Sequence, residues 1–432
     1  MAVRKTDLVP IVRTMTGMPE PLGPGIWPAQ WLSKAVASGI IHAPDFDETL
    51  IQPASLDLRL GAVAYRLRCS FLPGKNDSVK DQIKNFAVGP PLPLDQGTIL
   101  ERNRPYLIPL QESLNLPQRV RARANPKSST GRLDVFTRVI TDRSSKFDDI
   151  RPGYSGQLYL EVVPRSFAIM VRTGLSLNQL RLMKGDVAVA DSALRLTHRQ
   201  SPLLYRNGVA LDRRDVRAHG GLWLSLDLVR REGEVAGYRA KHNSSLIDMS
   251  LENRYDPADY WDSIIPEQGN RVVLEPEDFY LFLSSEAVQI PPQYAAEMSA
   301  FDASGGEVRT HYAGFFDPGF GHDPAGFFSR GSRAALEIRA HDVPFAVDNL
   351  QRVCKLRFEI MVEEPNVPYG AEDRSHYQGQ LSTLSKHFRV NRGAGQLTFS
   401  RAGTVGTTRV RRIQSHPGVP EQDVAENRLE AL

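Results

Sequence analysis

Cysteine is nearly absent: Cys69 and Cys354 are the only two in 432 residues. A disulfide framework is thereby excluded, and a reducing, cytoplasmic setting is expected. The same scarcity rules out the paired-cysteine element of a PCxxC zinc site. HExxH, a Walker-type GxxxxGKS or GxxxxGKT and a GxSxG elbow are missing as well, which disfavours zinc, P-loop and serine-hydrolase chemistry. No run approaches the roughly 18 apolar residues of a membrane span, and the N-terminal stretch is too poor in apolar residues for a secretory signal. Charge of one sign does not dominate either. The formal net charge is +3 and the 53 basic residues are spread along the chain, so there is no clustered basic face for duplex nucleic acid. Small anionic substrates stay open.

What is present is an ordinary globular composition, 41% hydrophobic and 24% charged, in a chain long enough for two or three domains. Helical patterning is sparse. Residues 26–39 are the best case: Pro28 suits a first turn, Trp31, Leu32, Ala35 and Val36 share a face, and Gly39 ends it. Elsewhere the period is two, as in "SLDLRLGAVAYRLRC" (55–69) and "QLYLEVV" (157–163), so the chain reads as mainly β with a few short helices.

The chain also repeats itself. "LERNRPYLIPLQESLNLPQRV" (100–120) aligns without a gap on "LEPEDFYLFLSSEAVQIPPQY" (274–294), and "LYLEV" (158–162) aligns on "AALEI" (334–338), pairing Glu161 with Glu337. "SLDL" occurs at 55–58 and at 225–228. Two copies of one β unit are expected, 1–215 and 216–390, with the join near 211–221. A Gly-, Thr- and charge-rich tail (391–432) adds little to a core.

Chemistry concentrates in "KSSTGR" (127–132) and Glu161. Ser128 and Ser129 can donate to phosphate oxygens, Lys127 supplies a point charge, and Gly131 lets Arg132 turn inward. Alone, the stretch reads first as a solvated turn. Glu161 lies on the strand side of Tyr159 and Val163, so it is either a partly desolvated general base or a solvent-facing glutamate. Glu337 has Arg339 two residues on, on the same face, and reads first as half of a structural salt bridge.

"QPASLDLRLG" (52–61), "PKSSTGRLD" (126–134) and "GYSGQLYLEV" (153–162) resemble the dCTP deaminase family of the dUTPase-like superfamily. The family pattern is an R/K-S-S-x-x-R loop, a D-P-G-aromatic-x-G turn and a strand carrying an essential Glu. In the second copy, "AGFFDPGFG" (313–321) looks like that turn, and "YGAEDRSHYQGQLSTLSKHF" (369–388) is similar to the segment that folds over bound nucleotide. The resemblance covers most of 27–210 and 222–388 in pieces and suggests a tandem form.

This resemblance implies two dUTPase-like distorted β-barrels and hydrolysis of dCTP to dUTP and ammonia. The reaction would be zinc-independent, Mg²⁺ would accompany the triphosphate, the assembly would be a homotrimer, and dTTP would be a possible feedback inhibitor. It assigns Glu161 as base with Ser128 and Arg132, and Lys127, Ser128, Ser129, Arg132, Arg143, Tyr159, Tyr369, His376 and Gln380 to the nucleotide. Asp317 and Glu337 are lesser candidates in the second copy. Two departures matter: Arg151 stands where the turn has Asp, and Asp302 and Gly306 replace Ser and Arg in the second loop. One composite site follows, built from the first copy's loop and the second copy's tail. The rivals are a dUTPase-type or bifunctional enzyme, with Asp317 activating water, and a non-catalytic nucleotide-binding protein.

Overall fold

A computed structural model of the chain describes residues 20–229, 235–299, 308–310, 314–322, 331–340, 342–371, 377 and 383–389. The tail 391–432 and the second-copy loop around Asp302 and Gly306 lie outside them. The architecture is mainly β, and its first helix, α1 (Ala29–Ala37), buries Leu32 and Ala35. Pro28 stands just before the helix rather than in its first turn, and Gly39 follows it at φ 75°, a left-handed position that favours glycine.

The first unit is organised by strands β1 (Ile41–His42), β2 (Leu56–Arg59), β3 (Tyr106–Asn115) and β4 (Val120–Pro126). The short helix α2 (Ser128–Gly131) leads to β5 (Val135–Ile140), β6 (Ser155–Pro164) and β7 (Ser176–Lys184). β6 runs between β3 and β5, and β7 between β2 and β4. The second unit repeats this with α3 (Asp191–Gln200), β8 (Leu204–Arg206), β9 (Leu222–Ser225) and β10 (Phe279–Val288). β11 (Tyr294–Ser299), β12 (Phe315–Phe316), β13 (Ser332–Ala340) and β14 (Arg352–Ile360) complete it.

Strand register establishes the duplication. Leu107 faces Glu161 across β3–β6, and Leu281 faces Glu337 across β10–β13. The Tyr106 hydroxyl accepts from the Glu101 N–H at 3.2 Å, and the Tyr280 hydroxyl from the Glu275 N–H at 2.8 Å. Two expectations are corrected. The "SLDL" repeat is out of register: the Leu60 N–H donates to the Leu175 carbonyl and the Leu226 N–H to the Gln351 carbonyl. Leu226 therefore corresponds to Leu60, and Ser225 to Arg59 rather than to Ser55.

The join also falls earlier than 215. Leu194, Leu203 and Leu204 are buried in the second unit's core, and β8 pairs with β10 as β1 pairs with β3. α3 and β8 thus open the second copy. A run of edge-to-face rings seals the two units together: Phe167 meets Trp261 at 5.3 Å and Tyr260 at 5.7 Å, while Trp261 meets Phe388 at 5.9 Å.

Candidate active site

The Lys127–Arg132 stretch is anchored before it is functional. The Lys127 N–H donates to the Leu177 carbonyl of β7 at 3.0 Å, and the Thr130 and Gly131 N–H groups close a single helical turn on the Lys127 carbonyl. The N–H groups of Ser128 and Ser129, at the start of that turn, have no intrahelical acceptor. At the far end Asp134, at φ 57°, accepts from Ser166 Oγ at 2.6 Å and is ion-paired with Arg339. The second unit's last segment docks on the same turn: Ser385 Oγ donates to the Ser129 carbonyl at 2.8 Å.

This turn forms one wall of a cavity of about 420 Å³, within the usual size range for small-molecule sites. Lys127, Ser128, Ser129 and Arg132 come from the first unit, with Asp57 and Gln179 beside them. Opposite stand Phe316, Asp317, Glu337, Tyr369 and Tyr377 of the second. Both copies therefore build a single site.

Glu337 is 2% exposed and sits against the turn so closely that a Cβ on Gly131 would come within 2.6 Å of its carboxylate oxygens. Burial pushes its carboxyl well above the ordinary 4.5; Arg132 opposes that shift and Asp134 adds to it. Glu337 Oε2 is buried without a hydrogen-bond partner, so a carboxylate oxygen is available in the cavity wall. Arg132 is itself buried, donates to the Thr383 and Leu384 carbonyls at 3.2 and 3.4 Å, and stacks 3.8 Å from the Tyr377 ring centroid. The expected Glu337–Arg339 salt bridge does not form, because Arg339 is drawn to Asp134, with Nε 3.2 Å from Oδ1.

Glu161 lies outside this cavity. It is 1% exposed, and Arg138 on the neighbouring strand holds its Oε2 at 2.5 and 2.9 Å. Tyr159 also lies elsewhere, packed with Phe71, Leu107 and Ile140, and burial pushes its hydroxyl up to about 12. Arg143 is exposed in a turn. His376 and Gln380 lie outside the described residues. Lys127 reaches the cavity, but its ammonium is ion-paired with Asp57.

Asp317 is buried in the cavity wall, with its carboxyl raised by desolvation despite a 3.0 Å bond from Arg181. Asp57, Gln179, Phe316 and Tyr377 were not singled out by the sequence, although Asp57 lies in "QPASLDLRLG" (52–61), Phe316 in "AGFFDPGFG" (313–321) and Tyr377 in the 369–388 segment. Among the described residues no group of three or more His, Cys, Asp or Glu is arranged to hold a metal ion, and no helix is long and apolar enough to cross a membrane.

Two copies of one β unit closing on one polar cavity define a tandem-duplicated β protein with a composite site. The models for the N-terminal and C-terminal domains of 2'-deoxycytidine 5'-triphosphate deaminase match residues 23–186 and 190–388. A dUMP-forming dCTP deaminase of Methanobrevibacter smithii is 31% identical over 140 residues, 32% of this chain and 67% of the relative. A dCTP deaminase of Natronomonas pharaonis is 30% identical over 156 residues, 35% of this chain and 74% of that one. The solved 2'-deoxycytidine 5'-triphosphate deaminase of Agrobacterium tumefaciens is 43% identical, with a TM-score of 0.73, and the match covers 78% of this chain and 99% of that one. The chain belongs to the dCTP deaminase family, hydrolases acting on C–N bonds in cyclic amidines, and its two domains have the dUTPase-like fold.

Proposed function

We propose that the chain hydrolyses dCTP to dUTP and ammonia in the composite cavity, with Glu337 rather than Glu161 as general base. The carrying observation is a buried carboxylate with a raised pKa set directly against the Ser128–Arg132 turn. The triphosphate is held by the Ser128 and Ser129 hydroxyls and N–H groups, with Lys127 as counter-charge. Mg²⁺ enters with the triphosphate as part of the substrate.

Glu337 takes a proton from water as its oxygen bonds to ring carbon 4, and hands that proton to ring nitrogen 3. It then takes the hydroxyl proton and delivers it to the amine, which leaves as ammonia while the carbonyl forms. Arg132 opposes the rise that burial causes in Glu337, and with Ser128 it stabilises the charge that develops. The homotrimer, closure by His376 and Gln380, and feedback by dTTP belong to this proposal through the family resemblance.

Purified full-length chain incubated with dCTP and Mg²⁺ should release ammonia in step with dCTP loss, without pyrophosphate. Because the base works ionised, the rate should fall as pH drops through the raised Glu337 value, above the ordinary 4.5. An acid limb at 4.5 or below would contradict the assignment. Equal release of pyrophosphate would favour a second reading, a dUMP-forming enzyme. The names of several relatives and the buried, cavity-lining Asp317 support that reading. Release of neither product would leave a nucleotide-binding protein.

Gly131→Ala supplies a further check. The added methyl collides with the free end of Glu337 rather than with backbone, so the fold should survive. Deamination should drop by about 10²-fold, the effect of a misplaced catalytic group. A thermal melt alongside the ammonia assay separates the two, and unchanged activity would place Glu337 elsewhere.

A further inference from the structure

A second cavity, of about 390 Å³, opens in the second unit and takes no part in the chemistry above. Arg195, Arg213, Arg214, Arg217, Arg352 and His219 line it, and no carboxylate does. None of the five arginines is ion-paired among the described residues, although the chain as a whole is close to neutral. Asp191, the nearby acid on α3, accepts from the Gly220 and Gly221 N–H groups at 2.9 and 3.1 Å and also attracts Arg195 and His219, while Arg195 donates to the Ala218 carbonyl. Arg213, Arg214, Arg217 and Arg352 are left with their guanidinium groups around one concave site, where clustered positive charge favours a bound anion.

The place in the fold matters as much as the charge. Ile51 bridges Leu56 and Ala218 bridges Leu222; the Gln52 N–H donates to the Ser55 carbonyl at 2.7 Å and the His219 N–H to the Gly221 carbonyl at 3.0 Å. His219 thus corresponds to Gln52, and the Leu60–Leu226 equivalence makes Trp223 the counterpart of Asp57. Gln52 and Asp57 line the composite cavity; His219 and Trp223 line this one. The duplicated segment walls a cleft in both copies, and the second has exchanged an amide and a carboxylate for an imidazole and an indole.

We propose that this arginine-lined cleft binds a triphosphate chain, that of a free nucleoside triphosphate or of inorganic tripolyphosphate, at a site separate from the composite one. Guanidinium groups suit it because each can offer paired N–H donors to phosphate oxygens. Trp223 is the one aromatic residue in the lining, and Lys355 Nζ lies 4.7 Å from its ring centroid, adding a further positive charge.

Calorimetric titration of the full-length protein with inorganic tripolyphosphate, and separately with ATP, tests this without reference to turnover. Arg213→Ser/Arg217→Ser should weaken one binding event about tenfold per arginine removed, while ammonia release from dCTP alone and the melting temperature stay unchanged. Arg68→Ser/Arg119→Ser, two exposed arginines elsewhere, should change nothing. A loss confined to ATP assigns the nucleotide, and a loss shared with tripolyphosphate assigns the bare chain. Titrations identical to wild type, an equal loss in the control pair, or tighter binding of a short single-stranded oligonucleotide at the same residues would overturn the proposal.

Discussion

Glu337→Gln should still bind dCTP and deaminate it about 10²–10⁴-fold more slowly, the contribution of a lost general base. It should also melt higher than wild type at neutral pH. The folded-state value for Glu337 lies above its unfolded value because burial penalises the charged form. Its stabilising contribution is therefore fully present below about pH 4.5 and is lost as pH rises through the raised value. An uncharged glutamine of the same shape avoids that loss. The gap in melting temperature between the two proteins should widen from pH 4.5 upward. A variant both slow and less stable at pH 8 would mean that Glu337 is held as a structural ion partner, not as a poised base.

The next expected effect is on folding. Arg181 is completely buried and joins the two units: it donates to the Asp317 carboxylate at 3.0 Å, the Phe316 carbonyl at 2.9 Å and the Ala296 carbonyl at 2.9 Å. It also reaches Glu359 at 3.3 Å and lies 4.0 Å from the Phe315 ring centroid. Among the described residues, Arg181→Met leaves Asp317 without an ion-pair partner and Glu359 with Arg123 as its remaining one. Removing one partner of a buried ion cluster costs about 3–5 kcal/mol, so denaturant unfolding should show a loss of that size. Part of the loss should be recovered at acid pH, where both carboxyls take up protons. A change within ±0.5 kcal/mol would show the cluster to be replaceable packing.

Much of the β architecture was legible because period two and gapless self-similarity are local properties. Tyr106 and Tyr280, like Leu107 and Leu281, stand at the same places in two gapless segments. The error with "SLDL" shows the limit. Four identical letters carry no register, and the hydrogen bonds of Leu60 and Leu226 place them four positions apart. The join was missed for a related reason: α3 and β8 look like the end of one copy until Leu194 and Leu203 are seen in the core of the other.

The site was half legible. The hydroxyl-and-cation loop is contiguous, so its composition alone marks it. Which glutamate faces it is a property of how the two units pack, and both candidates occupy the same register position in their own sheets. Glu161 acquires Arg138 as its cross-strand neighbour. Glu337 loses Arg339 to Asp134, a residue more than 200 positions away in sequence. No spacing rule along one strand carries that information.

Ammonia release from dCTP by Glu337→Gln and Glu161→Gln, assayed side by side on folded protein, distinguishes the two carboxylates. The Glu337 variant should be nearly inactive while the Glu161 variant keeps activity within a few-fold of wild type, with only its melting temperature lowered through the unpaired Arg138. Activity surviving in the first and vanishing in the second would return the base to Glu161 and dissolve the composite site as drawn.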